Sequence, residues 1–488
     1  MTLPAFNFKR TIEVKKLATI ILSLVAPAIA AFAASNMDEA RRLVTEGDYW
    51  GARQLLEKEA KANPKVTNTA QYSYLMGVCE FETGEYANAR KLLEQAKAKG
   101  NGASNLYLGR LAFLDYDFPK ATELYGDFRK YREKAKQPAG EDVEELERQL
   151  QSAESALNSV EQITVLDSLA VPVDGFYQFY KLPHSAGRLL APFEMPLEEH
   201  RGGAVMAFQN EGGDFMMWGE PDSVGNVKLV ESIKLTDGKW HEPTPTPDFL
   251  SKGGYADYPF MMPDGVTLYY ASDGEDSMGG YDIFVVGRDA QTGEYLQPQN
   301  IGMPFNSPHD DFMLAIDEEN GVGWWATDRN LLGDKLTIYI YKVNDVRKNY
   351  NHDDEEILAK ARLSDWKSTR NPEEDEELGE LLAHVMAIDP DDVPEEADFH
   401  LPKGKGEYYT RYDQLPQAAR GVMKRYLKAQ ASLEKEEQRL QALRKRYSVN
   451  HADNVARQIE GFEQDMIEQR KALIQLRSEL YKNIRNER

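Results

Sequence analysis

Carboxylates crowd one stretch of this 488-residue chain. Residues 257–284, DYPFMMPDGVTLYYASDGEDSMGGYDIF, include Asp264, Asp273, Glu275, Asp276 and Asp282. Acids at that density can ligate a hard cation such as calcium, pair for general acid–base work, or accept backbone N–H groups at turns and strand ends. A calcium loop wants a fixed rhythm such as D-x-[DN]-x-[DN]-G, which the stretch lacks. The turn reading has a mechanism: Pro263 fixes φ, and Gly265 supplies the positive φ of a tight hairpin. It is the reading favoured here.

Other chemistry is sparse. The chain has no G-x-S-x-G elbow, H-E-x-x-H pair, Walker loop or G-x-G-x-x-G fingerprint. Its eight histidines (His184, His200, His241, His309, His352, His384, His400, His451) stand singly, without helical ligand spacing. Cys79 is the single cysteine and sits among Leu75, Met76 and Phe81, which reads as a buried small hydrophobe rather than a reactive thiol. We therefore expect no enzyme and no catalytic, cofactor-binding or metal residues, although triads assembled in space are invisible to this argument. A hydrolase on a sheet platform would need two carboxylates converging at about 5–9 Å.

The elements around the acids alternate. YPFMM, the Pro263-Asp264-Gly265 turn, VTLYYAS, a loop from Asp273 to Gly280 and YDIFVVGRD parse as a three-strand meander. The same grammar returns at DDFMLAIDEENGVGWWATDRNLLGDKLTIYIYKV, with Asn320-Gly321 as its turn, and in weaker form at GAVMAFQNEGGDFMMWGEPDSVGNVKLVESIKL, with Gly212-Gly213. Meanders spaced by roughly 50 residues predict propeller blades across 164–345, three in number or four with 164–200, few enough that the ring is irregular or completed by another chain.

Residues 36–131 have a helical period instead. EGDYWGARQLLEKEAKANP, LMGVCEFETGEYANARKLLEQA and LYLGRLAFLDYDFPKATELYGDF share a phase. Gly47, Ala52, Gly77, Gly84, Ala89, Gly109 and Ala121 are the small contacts, while Tyr49, Leu56, Tyr86, Leu93, Phe118 and Tyr125 fill the grooves between helices. Residues 139–160 read as a charged helical linker.

These patterns resemble two known repeats. The helical units are similar to the tetratricopeptide (TPR) repeat, which implies an α-solenoid binding other proteins through its concave face without chemistry of its own. PDGVTLYYASDG followed by GGYDIFV resembles the PD40, or TolB-like, propeller repeat, through Pro263, Asp264, Gly265, Leu268, Tyr269, Ser272, Asp273, Gly280, Tyr281 and Asp282. VLDSLAVPVDGFYQFYKLPHSAGRLLAP looks like the lead-in to such propellers in envelope proteins linked to gliding and type IX secretion. The resemblance covers residues 34 to about 370 and implies partners that are other envelope proteins. Many members of that group end in an OmpA-like domain, which is not recognisable in this chain.

The ends and the charge set the compartment. Lys9, Arg10, Lys15 and Lys16 precede LATIILSLVAPAIAAFA, which closes on Ala31-Phe32-Ala33, the pattern of a cleaved signal peptide over 1–33. The run is also near the lower limit of spanning length for an uncleaved anchor, and no Cys at the junction supports lipidation. The net charge is −23, a field that repels phosphate backbones and anionic lipid and disfavours nucleic acid as a partner unless a local basic patch overrides it; cleavage would leave −26. A single Cys excludes an internal disulfide, and with no N-x-[ST] site the expected place is a bacterial periplasm, with outer-membrane or peripheral membrane association.

Residues 346–412 form an acidic stretch expected to be mostly solvated linker, with ILAKARLSDW as one packed element. From 413 to 488 apolar residues at three-and-four spacing predict two helices of about 50 Å, broken at Glu436 and Gln469 and separated near Asn450 and Asp453. An antiparallel hairpin is the natural closure and a dimeric coiled coil the alternative, giving homo-oligomers. The hairpin either reaches toward a partner or folds back onto the helical repeats. The whole is a multidomain α + β chain: a non-enzymatic scaffold, or alternatively a propeller that binds a glycan or peptide in its funnel.

Overall fold

The computed structural model describes residues 36–488 except 139, 224, 236–237, 290–291, 331–334, 389–400, 405–406, 410, 451–452 and 486–488. The proposed signal segment lies outside the described residues. The chain divides into a unit ending at Ser155 and a unit beginning at Ala156. The first is helical; the second carries antiparallel sheets followed by helices.

The first unit runs α1 (Asn36–Glu46), α2 (Tyr49–Ala62), α3 (Ala70–Glu82), α4 (Tyr86–Ala98), α5 (Ser104–Leu114), α6 (Phe118–Lys134) and α7 (Glu141–Leu157). Three of the helices, α2, α3 and α6, begin where a side chain satisfies a first-turn amide: Asp48 accepts from Gly51 N–H, Thr69 from Tyr72 N–H and Asp117 from Lys120 N–H. The turns use left-handed backbone at Gly47 (φ 82°) and Gly84 (φ 82°), whereas the third equivalent turn places Tyr116 at φ 59°. Close approach explains the internal glycines. A Cβ on Gly77 would lie 2.8 Å from Leu93 Cγ, and one on Gly109 2.5 Å from a Tyr125 ring carbon. Ala52, Ala89 and Ala121 are fully buried in the same seams. Residues 139–160, expected as a spacer, instead bury Val143, Leu150 and Ala153 of α7 and tie it to α6 through Arg129–Glu147.

In the second unit, β1 is Thr164–Pro172, β2 Arg188–Leu190, β3 Ala207–Gln209, β4 Phe215–Pro221, β5 Val227–Ile233 and β6 Thr244–Pro245. Then come β7 (Ala256–Met261), β8 (Thr267–Ser272), β9 (Asp282–Gly287), β10 (Gln299–Asn300), β11 (Asp311–Asp317), β12 (Val322–Thr327) and β13 (Lys335–Lys342). They form three antiparallel meander sheets: β2-β3-β4-β5-β6, β7-β8-β9-β10 and β11-β12-β13-β1. The segment 164–200 does not make a fourth sheet. It sends β1 to the outer edge of the third, where Thr164 pairs with Lys342 and Pro172 with Lys335, and β2 to the first.

The sheets meet through aromatic rings. Phe208 of β3 packs on Phe260 of β7 at 5.2 Å, and Tyr258 of β7 on Phe312 of β11 at 4.7 Å. Phe176, from the segment between β1 and β2, contacts both Tyr258 and Phe312, and all three rings are buried. Tyr258 and Met313 sit at matching bulges of β7 and β11 with φ of 54° and 53°. Tyr180 donates its hydroxyl to Met313 O at 2.8 Å, fastening the same segment to the third sheet.

The described residues of the acidic stretch 346–412 include packed helices. The stretch contains α8 (Ile357–Arg362), with Ala361 and Leu363 buried, and α9 (Asp375–Met386), with Leu378 and Val385 buried. Between them, Thr369 accepts from Val165 N–H and Arg370 donates to the carbonyls of Val165 and Leu166. These contacts occupy the open edge of β1, an edge that would otherwise template pairing with another chain. Charge composition hid them because the packing residues are few and lie between runs of acids.

A small hairpin, β14 (Leu401–Gly404) and β15 (Glu407–Tyr409), leads to α10 (Gln417–Asn450) and α11 (Asp453–Arg485). The last two run antiparallel: Arg425 pairs with Glu479 at 2.6 Å, and Glu436 accepts from Gln469. The two polar breaks in the apolar pattern thus meet as one hydrogen-bonded pair, which fixes register. Leu401, Leu415, Ala419, Val422, Met423, Leu480, Tyr481 and Ile484 form a buried cluster at the base.

Candidate functional site

The carboxylates of 257–284 are used by the backbone around them. Asp264 accepts from Val266 N–H, Thr267 N–H and Thr267 Oγ1–H, closing the turn in which Gly265 adopts φ 72° and Pro263 leads. Asp273 accepts from Tyr255 N–H at 2.6 Å. Gly254 has no room for a Cβ there, which would fall 2.3 Å from Asp273 Oδ1. Ser272 donates to Ser251 O, and Tyr269 pairs with Phe260 and Val285 across β8, its hydroxyl pushed up to about 12 by burial. Asp276 takes an ion pair with Lys252.

At the head of β9, fully buried Asp282 accepts from Met278 N–H and Asn300 Nδ2–H through Oδ2. Its Oδ1 has no hydrogen-bond partner among the described residues, and burial holds this carboxyl well above the usual carboxylate range. Tyr281 N–H donates to Asp310 Oδ1 at 2.8 Å, and Gly280 permits that approach, since a Cβ would lie 1.7 Å from the same oxygen. This contact ties the second sheet to the strand leading into β11.

Two further buried acids hold the sheets, Asp257 between two of them and Asp311 within the third, and neither stood out in the sequence. Asp257, on β7, accepts from Tyr258 N–H and the backbone of Gly219 on β4; burial pushes its carboxyl up to about 7, while those two bonds pull the other way. Asp311, on β11, pairs with Arg329, which also donates to Pro304 O, Phe305 O and Thr327 Oγ1. Asn306 acts as a surrogate strand, bonding both the N–H and the C=O of Ile283. The signal for such roles is three-dimensional: a carboxylate beside a glycine that only the folded strand brings near.

Among the histidines, His200 places Nδ1 at 2.8 Å from Glu220 Oε1, and Trp218 Nε1 donates to Glu220 Oε2 at 3.1 Å. This fastens the β2–β3 connection to β4. Cys79 is fully buried in α3 and its thiol is pushed up to about 12 by desolvation, which removes the thiolate a nucleophile requires. Glu82 and Arg110 pair at 2.9 Å across α3 and α5, with the guanidinium over Phe81 at 4.4 Å.

The Pro263 turn also forms a docking point. Arg477 of α11 donates Nε–H to Pro263 O at 2.8 Å and pairs with Glu211 in the β3–β4 turn. One guanidinium therefore clamps the equivalent turns of the first two sheets to the base of the helical hairpin. No helix among the described residues is long and apolar enough to cross a membrane, and no group of three or more His, Cys, Asp or Glu among them is arranged to hold a metal. Compared with protein-family models, curated proteins and solved structures, the chain has no match in any of the three.

Proposed function

We propose that this chain is a non-enzymatic scaffold of the bacterial cell envelope, exported to the periplasm, that holds other envelope proteins at or near the outer membrane. In this reading α1–α6 are three TPR-type repeats. The three sheets are blades of a small PD40-type propeller, closed by β1 completing the last blade, and the C-terminal hairpin is anchored on the blade turns. The observation that carries the reading is the use of the candidate acids: Asp257, Asp264, Asp273 and Asp311 are spent on backbone amides and on Arg329, and Asp282 engages Met278 N–H and Asn300 through Oδ2. Groups so engaged shape surfaces rather than react.

The alternative, a glycan or peptide held in the funnel, is less well supported, because the inner strands β7 and β11 meet around the buried rings of Phe176, Tyr258 and Phe312. Crosslinking in intact cells followed by mass spectrometry tests the proposal. The scaffold reading expects crosslinks from both units to other envelope proteins. Crosslinks confined to the chain itself, or turnover of a small substrate by the purified protein, would contradict it.

A further inference from the structure

The charge of α10 is opposite to that of the chain. Its 34 residues hold nine Lys and Arg against three Glu, whereas the full sequence is at −23. The cations are also ordered. Lys424, Lys428, Lys435, Arg439 and Arg446 recur at intervals of four and seven, and at about 100° per residue they fall within roughly 60° of arc. Glu434, Glu436 and Glu437 all lie outside that arc. Lys424, Lys428, Lys435 and Arg439 are exposed, and the opposite face buries Val422, Met423 and Leu440. The result is a cationic rail about 22 Å long, from Lys424 to Arg439, on the solvent side of the helix.

Position along the helix separates the outer part of this rail from the acidic body. Lys428 is level with the Arg477 clamp in the antiparallel register, so Arg439 and Arg446 stand roughly 17 and 27 Å further along. Those distances exceed the Debye length of about 8 Å at physiological ionic strength. Beyond the clamp α10 and α11 pack principally on each other. The rail thus presents its own sign despite the net charge of the molecule.

We propose that the outward face of α10 docks on an anionic phospholipid surface. Four of the exposed or aligned cations nearest the base and middle are Lys, Lys, Lys and Arg, mostly compact hydrated charges suited to a diffuse layer of phosphates. A bilayer also matches the rail in extent, engaging all of it at once. The exposed acids of the segment from Glu373 to Glu380 do not: they span only about two helical turns. The contact is electrostatic, since Leu427 is the one large apolar side chain exposed among the described residues of α10, and it weakens with salt.

The test uses the full chain and its variant K424Q/K428Q/K435Q/R439Q in sedimentation with vesicles of phosphatidylethanolamine with about one-third phosphatidylglycerol, or of phosphatidylcholine alone. The wild type should bind the anionic vesicles, release them as salt rises, and ignore the neutral ones. At about 5-fold per cation, the variant should bind on the order of several hundred-fold more weakly, with an unchanged circular-dichroism spectrum and melting profile. Equal binding by variant and wild type overturns the proposal, as does absence of lipid binding. So does salt-sensitive self-association that the variant abolishes without any vesicle binding, which would assign the rail to a second copy. None of these outcomes depends on the partners found by crosslinking.

Discussion

The helical unit and the sheet unit solve the same problem with opposite chemistry. In the first, helices approach because Gly77 and Gly109 lack a side chain where Leu93 and Tyr125 press in. In the second, the aromatic packing between neighbouring sheets is supplemented by polar contacts: Asp257 to Gly219, Asp310 to Tyr281, Arg288 to Glu231 and Tyr295. Shape complementarity is tolerant of pH and salt, although Glu82–Arg110 adds an ion pair to the helical unit, whereas buried acids such as Asp257 make the sheet unit sensitive to its protonation. The difference teaches that an acid-rich stretch in such a fold reports how sheets are held, and only secondarily what they bind.

The contrast breaks most sharply at Arg329. Its side chain and that of Asp311 are 3% and 0% exposed, so Arg329→Met strands a buried carboxylate. We expect a loss of about 3–5 kcal/mol in denaturant unfolding of the sheet unit, with hydrogen exchange in α1–α6 unchanged. An equal effect in both units would show that they are not held independently.

Asp257 sharpens the contrast through pH. Its carboxyl is raised on folding to about 7, so the contribution of this group favours the fold at acid pH and fades as pH climbs from about 4 through 7. The stability of the sheet unit against unfolding should fall across that window by on the order of 2–4 kcal/mol, and Asp257→Asn should flatten the slope. A slope that survives the substitution would assign it to other acids. The helical counterpart is Gly109→Ala, whose methyl meets the Tyr125 ring: about 1–3 kcal/mol, read as faster exchange in α5 and α6 alone. The smallest effect is expected at Asp282. Its carboxyl is held neutral by burial, so Asp282→Asn should shift Tm by no more than about 2 °C.

Much of this contrast was legible in the sequence, and its limits are physical. The turns at Gly47 and Gly84 and at Pro263-Asp264-Gly265 announce themselves because local dihedrals demand those residues. The third helical turn did not, since Tyr116 occupies the left-handed position where a glycine would have marked it. Glu436 and Gln469 were each visible as a break in an apolar row, but their pairing depends on a register set 33 residues apart in the chain. The destination of β1 was also hidden, because its partner β13 follows more than 160 residues later and no local pattern encodes that closure. The edge contacts of Thr369 and Arg370 lay inside a stretch whose charge pointed to linker. The carboxylate stretch was read as turn and strand-end chemistry, and the hydrogen bonds of Asp264 and Asp273 are of that kind.

The central claim is that the acids of the sheet unit hold backbone and not a ligand. Thermal unfolding of the full chain over a calcium titration up to about 5 mM tests it most directly, because a ligand that binds only the folded state raises stability by RT ln(1 + [L]/Kd). The account predicts a sheet-unit Tm that stays constant across the titration. A Tm that climbs steadily with the logarithm of calcium concentration, and ceases to climb in Asp273→Asn or Asp282→Asn, would contradict it.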